Sequence, residues 1–176
     1  MEGPGSQSFH FAMRVGPRWS NVERMRTAVL HSAEAVFGPG DVSEVVSTVT
    51  SELMENAIKY GDWRPPERIW LRVAVVGGHR SLQIHVECPI DEGSPHLANL
   101  RRTLAWIEGF ASPRDAYLAR VQEIVERGEP GSSGMGLVRV AGEGPCRLSA
   151  SILPSSRLKV SATIELPADL QTNSIE

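Results

Sequence analysis

Two segments of the sequence combine residue types that could bind a metal-chelated nucleotide. The first, residues 51–61, contains a carboxylate at Glu52, an amide at Asn56 and an ammonium group at Lys59. At about 100° per residue in an α-helix, these three side chains fall within a sector of roughly 60°. The second segment, residues 131–137, is a glycine-rich loop that leads into an apolar run. Either segment alone is weak support for a nucleotide site, but the pair is far more specific.

Helical periodicity predicts an amphipathic helix over residues 41–60. Asp41 and Glu44 have the spacing of a capping box with Asp41 as N-cap, and Gly61 follows as a C-terminal cap would. The apolar stripe consists of Val42, Val45, Val46, Val49, Leu53 and Ala57. Asn56 lies at the edge of this stripe, where an unpaired buried amide would cost about 1–3 kcal/mol. It is therefore either bonded to a neighbouring carbonyl group or water, or used to bind a ligand.

The glycine-rich segment could present its backbone to an anion. Gly131, Gly134 and Gly136 permit positive φ angles and a close approach of the backbone to a ligand. A helix is predicted to begin near Leu137, and the N–H groups at a helix N-terminus bind anions. The alternative is a surface loop without a ligand, following the turn at residues 128–130.

Taken together, the two segments resemble the GHKL ATPase superfamily, the fold shared by gyrase-type ATPases, Hsp90, MutL and histidine kinases. Within it, the chain looks most like the small bacterial anti-sigma-factor serine kinases. The asparagine box of the superfamily matches Glu52 and Asn56, followed by Ala57 and residues 59–61. The resemblance covers residues 9–166.

The resemblance implies a role for each matching residue. Asn56 would ligate a Mg²⁺ ion that bridges the phosphates of ATP, Glu52 would orient or deprotonate the attacking nucleophile, and Lys59 would lie near phosphate. The last glycine box, which closes over the phosphates, would comprise Gly131, Gly134, Met135, Gly136 and Leu137. One amide oxygen can serve such a site, because Mg²⁺ prefers oxygen ligands and keeps several waters. Phosphoryl transfer itself depends mainly on positioning and charge neutralisation.

The segment that would contact adenine departs from the superfamily pattern. The superfamily has an Asp-x-Gly-x-Gly box there, whose carboxylate accepts a hydrogen bond from the adenine amino group. Asp91 and Gly93 could supply the first half of this box, but Pro95 replaces its second glycine. Glu87, at the end of the preceding strand, could replace the aspartate instead. The alternative is that residues 91–95 form a polar turn that caps the next helix.

The remaining elements predict an α+β fold. Residues 9–15 alternate as an edge strand, and residues 19–36 have one apolar helical face. Two hairpins are predicted, over residues 69–87 and 147–166, and the second has one polar face. We expect a two-layer α/β sandwich of the Bergerat type, with helices on one face of a mixed, largely antiparallel sheet.

The domain organisation is predicted to be simple. Residues 9–166 form a single ATP-binding domain, preceded by a flexible leader at 1–8 and followed by a loose tail at 167–176. Residues 96–130 form a helical lid or insertion within it. The apolar stripes of the lid helices face the core, or alternatively form a groove for a partner.

Composition limits the classes of function. The chain has 176 residues, 41% of them hydrophobic and 22% charged, with a net charge of −3 that gives no reason to expect nucleic acid as a partner. No run is long and apolar enough for a transmembrane helix or a signal sequence, so we expect a cytoplasmic protein that does not bind membranes. Cys88 and Cys146 do not make a disulfide framework. His85 is expected to be exposed on an alternating strand.

The sequence is consistent with two functions. The first is an ATP- and Mg²⁺-binding regulatory protein, which could transfer phosphate to a serine or threonine of a partner in an anti-sigma or partner-switching pathway. The second is a degenerate interaction module on the same fold that binds no nucleotide. Such a module would present its helices to a regulatory protein or, as a homodimer, to a second copy of itself.

Overall fold

The structure is a computed structural model of the chain. It describes residues 9–64, 70–77, 80–127, 135–143 and 146–166. The predicted leader and tail lie outside the described residues, as do Gly131 and Gly134 of the glycine-rich segment.

The described part of the chain forms five strands and five helices. In order they are β1 (Phe9–Val15), α1 (Trp19–Phe37), α2 (Asp41–Tyr60), β2 (Leu71–Gly77), β3 (Ser81–Pro89), α3 (Pro95–Glu108), α4 (Pro113–Arg127), α5 (Met135–Glu143), β4 (Cys146–Leu153) and β5 (Arg157–Glu165). Each element predicted from periodicity is present, with its ends shifted by no more than a few residues. The described helices include none that is long and apolar enough to cross a membrane.

The strands form one sheet in the order β1-β2-β3-β5-β4. Every pairing between described strands is antiparallel, so the sheet is antiparallel rather than mixed. Two of the pairings are the predicted hairpins, and β5 joins them by pairing with β3. The predicted α+β two-layer sandwich is confirmed.

The core lies between the helices and one face of the sheet. Successive side chains of a strand point to opposite faces, so Leu82, Ile84 and Val86 of β3 all face the helices. They are buried together with Leu53 and Met54 of α2. The opposite face carries the polar alternates of the same strands, as predicted for the β4–β5 hairpin.

Helix α2 begins and ends where the sequence indicates, but its N-cap differs from the prediction. Gly40 is the N-cap residue, and Asp41 is the first residue of the helix. Asp41 therefore stabilises the helix through its negative charge, which lies in the first turn near the positive end of the helix dipole. Gly61 caps the C-terminus, and its N–H donates to the carbonyl oxygen of Ala57 at 2.9 Å.

A second, smaller core joins the lid helices to α5. It contains Ile107 of α3, Ala116 of α4, and Val138 and Ala141 of α5. Tyr117 of α4 lies so close to Gly142 that a Cβ atom added to the glycine would overlap the Cβ and Cγ atoms of the tyrosine. The predicted lid is thus a pair of helices packed on the element that follows the glycine-rich segment.

Candidate functional site

A cavity of about 520 Å³ lies between α2, the sheet and the lid helices. Side chains from α2, β3, α3, α4, α5 and β5 line it. Its volume is within the range of about 300–1,000 Å³ that is typical of small-molecule sites. Of the predicted site residues, Asn56, Asp91 and Leu137 line this cavity.

Asn56 is half-buried at the wall formed by α2. Its amide nitrogen donates to the backbone carbonyl of Glu52 at 2.9 Å. Only the nitrogen of the amide can donate, so this bond fixes the orientation of the group and leaves the oxygen as the atom that can accept or ligate. The two alternatives for Asn56 are therefore compatible, since a bond to a neighbouring carbonyl does not consume the ligand atom.

The start of α5 approaches this part of α2 very closely. A Cβ atom at Gly136 would lie 2.7 Å from Oε2 of Glu52 and 3.6 Å from Nδ2 of Asn56. Contacts below about 3 Å are not tolerated, so the position requires glycine unless Glu52 moves. The structure thus brings the end of the glycine-rich segment onto the two residues of the predicted asparagine box.

Glu52 does not itself line the cavity, because it lies beneath the first turn of α5. Its carboxylate forms an ion pair with Arg139, and the two side chains are 12% and 45% exposed. No motif in the sequence marks Arg139 as a site residue. Its position three residues after Gly136 places both on neighbouring parts of one helical surface, but this spacing is common and does not identify a partner.

Lys59 is not brought to the cavity. Its side chain is exposed, with Nζ 5.1 Å from the centre of the Tyr60 ring. Tyr60 does line the cavity and packs against His96 of α3, with ring centroids 4.9 Å apart and ring planes tilted by 41°. The lysine therefore contacts a residue of the cavity wall without lining the cavity itself.

Asp91 lies at the rim of the cavity, within a polar turn. Its Oδ1 accepts a hydrogen bond from the N–H of Gly93 at 3.0 Å, and Oδ2 pairs with Arg64 at 3.3 Å. Ser94 Oγ accepts from the N–H of His96 at 3.2 Å and caps α3. Residues 91–95 thus form the capping turn foreseen as the alternative, and the Asp91 side chain remains 52% exposed.

Glu87 points away from the cavity. Val86 and Cys88 line the cavity, and the strand period of two residues turns the side chain between them to the other face of the sheet. There Oε1 of Glu87 pairs with Arg72 of β2 at 2.9 Å. Of the two carboxylates considered for adenine, the structure brings only Asp91 to the cavity.

The lid helices add residues that sequence reasoning did not select. Arg102 and Trp106 of α3 and Arg120 of α4 line the cavity. Arg120 lies 6.0 Å from the Trp106 ring centre and pairs with Glu123 at 2.8 Å. The periodicity of α3 and α4 indicates which sides face the protein, but it contains no information about which other helix they meet. These arginines bring positive charge to the lid side of the cavity, where Glu123, the partner of Arg120, also lines it.

Both cysteines are buried and free. Burial raises the pKa of the Cys88 thiol to about 12, and that of Cys146 to about 11. Cys88 is thus an apolar part of the cavity wall rather than a nucleophile. The described residues contain no group of three His, Cys, Asp or Glu side chains that could hold a metal ion by themselves. A magnesium site here would depend on oxygen atoms of a ligand and water beside the Asn56 amide oxygen.

No protein-family model matches the sequence, and no curated protein sequence matches it. Its fold is similar to that of a chain in the crystal structure of the SiaB–SiaC complex from Pseudomonas aeruginosa. The TM-score is 0.62, the sequence identity is 19%, and the match covers 89% of each chain. At this identity the similarity shows that the two chains share a fold.

Proposed function

We propose that this chain is an ATP- and Mg²⁺-binding regulatory protein of the GHKL type. The observation that carries the proposal is the contact of Gly136 with Glu52 and Asn56. Two segments distant in sequence, each selected for phosphate chemistry, meet beside a cavity of suitable volume. The glycine allows the backbone of α5 to approach the carboxylate and the amide closely, as a site for a phosphate group beside them would need.

In this proposal the residues of the site have separate roles. The Asn56 amide oxygen, together with phosphate oxygens and water, holds Mg²⁺, which neutralises phosphate charge. The N-terminal turn of α5, from Met135 through Leu137, offers its backbone N–H groups to the phosphates. Arg102 and Arg120 add positive charge from the lid. Asp91 is the carboxylate available to the adenine amino group.

The activity that fits this arrangement is phosphoryl transfer to a serine or threonine of a partner protein. Glu52, which lies beneath α5 and beside Asn56, would have to turn toward the cavity to accept the proton of the attacking hydroxyl group. The hydroxyl oxygen would bond to phosphorus as the bond from phosphorus to ADP breaks. Arg139 would orient the Glu52 carboxylate through their ion pair. A protein substrate agrees with the fold comparison, because the similar chain belongs to a crystallised complex of two proteins.

Calorimetric titration of ATP with and without Mg²⁺ tests the proposal. We expect Mg²⁺-dependent binding to the wild type and none to Asn56→Ala, because that substitution removes the ligand oxygen. The matched control is Gln83→Ala, which removes an exposed amide from the opposite face of the sheet. Unchanged binding to the Asn56→Ala variant, or equal losses in both variants, would refute the assignment.

A second candidate is an interaction module that has lost nucleotide binding. The observation that favours it is the engagement of Asp91 with Gly93 and Arg64, together with the distance of Lys59 from the cavity. For this function, the same titration would give no heat and no thermal shift at millimolar ATP. The regulatory activity would then reside in surfaces rather than in the cavity.

A further inference from the structure

The sheet face opposite the helices concentrates positive charge. Cross-strand register places five cations on it, namely Arg14, Arg72, Arg147, Arg157 and Lys159. The described carboxylates on this face are Glu87 and Glu165. The whole chain has a net charge of −3. The face is therefore positive on a protein that is otherwise negative.

One of the two carboxylates is already neutralised. Glu87 pairs with Arg72, and its side chain is only 12% exposed. Glu165 lies at the far end of β5, opposite Ser81. The row that crosses the sheet from Arg14 through Arg72 and Glu87 to Lys159 spans four strands, or about 14 Å at the usual strand spacing. Its two outer members, Arg14 and Lys159, are both cations.

Several of these cations are held in position. Trp70 lies between two guanidinium groups, with Arg14 4.2 Å and Arg157 3.7 Å from its ring centre. Arg157 also donates to the backbone carbonyls of Trp70 at 3.4 Å and Glu87 at 3.1 Å. Guanidinium groups stacked in this way lose little conformational freedom when an anionic group arrives. These two guanidinium groups are therefore preorganised for an anionic ligand.

His85, at the middle of the same face, responds to this charge. Burial lowers its pKa most, and Lys159, Arg72 and His10 lower it further, whereas Glu87 raises it. Its Nδ1 atom is buried and has no hydrogen-bond partner within the part of the chain that the structure describes. A histidine held neutral by this burial adds no charge of its own to the face.

We propose that this face binds an acidic, extended segment of a partner protein. The cations lie on strands about 4.8 Å apart, and an extended segment presents alternate side chains about 7 Å apart on one side, so carboxylates can reach several of them. A phosphate polymer or an anionic membrane fits less well. Either is large enough to meet the negative remainder of the chain as well as the positive face, and the net negative charge of the chain repels it. The proposal takes from the proposed function only that a protein partner exists, and it does not require nucleotide binding.

Fluorescence anisotropy with a labelled peptide of alternating glutamate and serine tests the proposal. The test variant is Arg14→Gln/Arg147→Gln/Lys159→Gln, which removes three cations from the face. The matched control is Arg24→Gln/Arg101→Gln/Arg114→Gln, which removes three exposed helix arginines and changes the net charge equally. We expect salt-sensitive binding to the wild type, at least about tenfold weaker binding to the test variant, and little change in the control.

Other outcomes would overturn the proposal. These are no peptide binding at low salt, equal losses in both triple variants, or stronger binding to single-stranded DNA or to phosphatidylserine vesicles than to the peptide. A wild-type dimer that the test variant abolishes, measured by sedimentation, would assign the face to a second copy of the chain. ATP titration of the same variants separates the two proposals, since peptide binding without ATP binding would refute the nucleotide site alone.

Discussion

At the scale of single residues, the cavity wall shows how burial suppresses the reactivity of a thiol group. Cys88 lies among apolar side chains of β3 and faces the cavity, yet its pKa of about 12 leaves almost no thiolate at neutral pH. Cys146, with a pKa of about 11, is buried in the same core. A cysteine in a cavity is therefore not by itself a catalytic group.

We expect neither cysteine to be alkylated in the folded protein. At pH 8 the thiolate fraction of a group with a pKa of about 11 or 12 is negligible, so iodoacetamide should modify Cys88 and Cys146 only after unfolding. Mass spectrometry after timed labelling, with a sample in denaturant as the control, measures this. Modification of either cysteine at the denatured rate would contradict the raised pKa values.

Local patterns in the sequence selected three residues that lie together in the structure. Glu52 and Asn56 were selected by one-turn spacing, and Gly136 by its motif, and the structure brings these three together. Arg139 was missed because its partner is 87 positions earlier in the chain, and no local pattern encodes that pairing. Glu87 and Asp91 could not be separated from sequence alone, because the choice depends on which face of β3 borders the cavity.

At the scale of elements, α5 touches two neighbours through glycine. Gly136 faces the end of the flexible Glu52 side chain, whereas Gly142 faces the Cβ and ring base of Tyr117 on α4. One contact can relax by rotation of a side chain, and the other requires two helices to separate. Substitution by alanine should therefore affect ligand binding at Gly136 and the stability of the fold at Gly142.

We expect Gly136→Ala to weaken Mg²⁺-dependent ATP binding, because the added methyl group displaces the Glu52 carboxylate and crowds Asn56. The free energy of unfolding should stay within about 1 kcal/mol of wild type, since alanine favours the helix. Gly142→Ala should lower that free energy by about 1–3 kcal/mol, because it overpacks the contact with Tyr117. Urea unfolding and calorimetry measure both effects. Gly16→Ala is the control, since its nearest neighbour would be 3.9 Å away. A stable Gly142→Ala variant, or normal ATP binding by Gly136→Ala, would contradict this account.

The elements themselves were largely predictable. Long periodic stripes gave α1, α2 and α4, and alternation gave both hairpins. The pairing of β3 with β5 and the contact of the lid helices with α5 are tertiary, so no local pattern in the sequence predicted them. The N-cap of α2 was misplaced by one residue because Gly40 and Asp41 are both acceptable at such a boundary.

At the scale of the whole molecule, the sheet separates two environments. One side is an apolar core with a cavity, and the other is a charged face whose central histidine is more buried than its alternating strand suggested. His85 was expected to be exposed, but it is only 9% exposed, on the central strand β3 between β2 and β5. Its state of protonation therefore affects the stability of the entire fold.

We expect the protein to lose stability in mild acid partly through His85. Its pKa in the folded state is below the usual 6.5, so the unfolded chain binds a proton more readily. The stabilisation is complete above pH 6.5 and is lost as pH falls through the folded value. His85→Gln should reduce this loss, whereas the exposed His31→Gln should not. Thermal unfolding from pH 8 to pH 5 measures the difference, and identical pH profiles for the wild type and His85→Gln would exclude the effect.

The position of Trp70 between Arg14 and Arg157 has a spectroscopic consequence. Indole emission responds to nearby charge, so an anionic group that draws either arginine away should change the intensity and wavelength of Trp70 fluorescence. Trp106 lies beside the cavity on the other side of the sheet. Single-tryptophan variants that retain one or the other would thus give each face of the molecule its own built-in optical reporter.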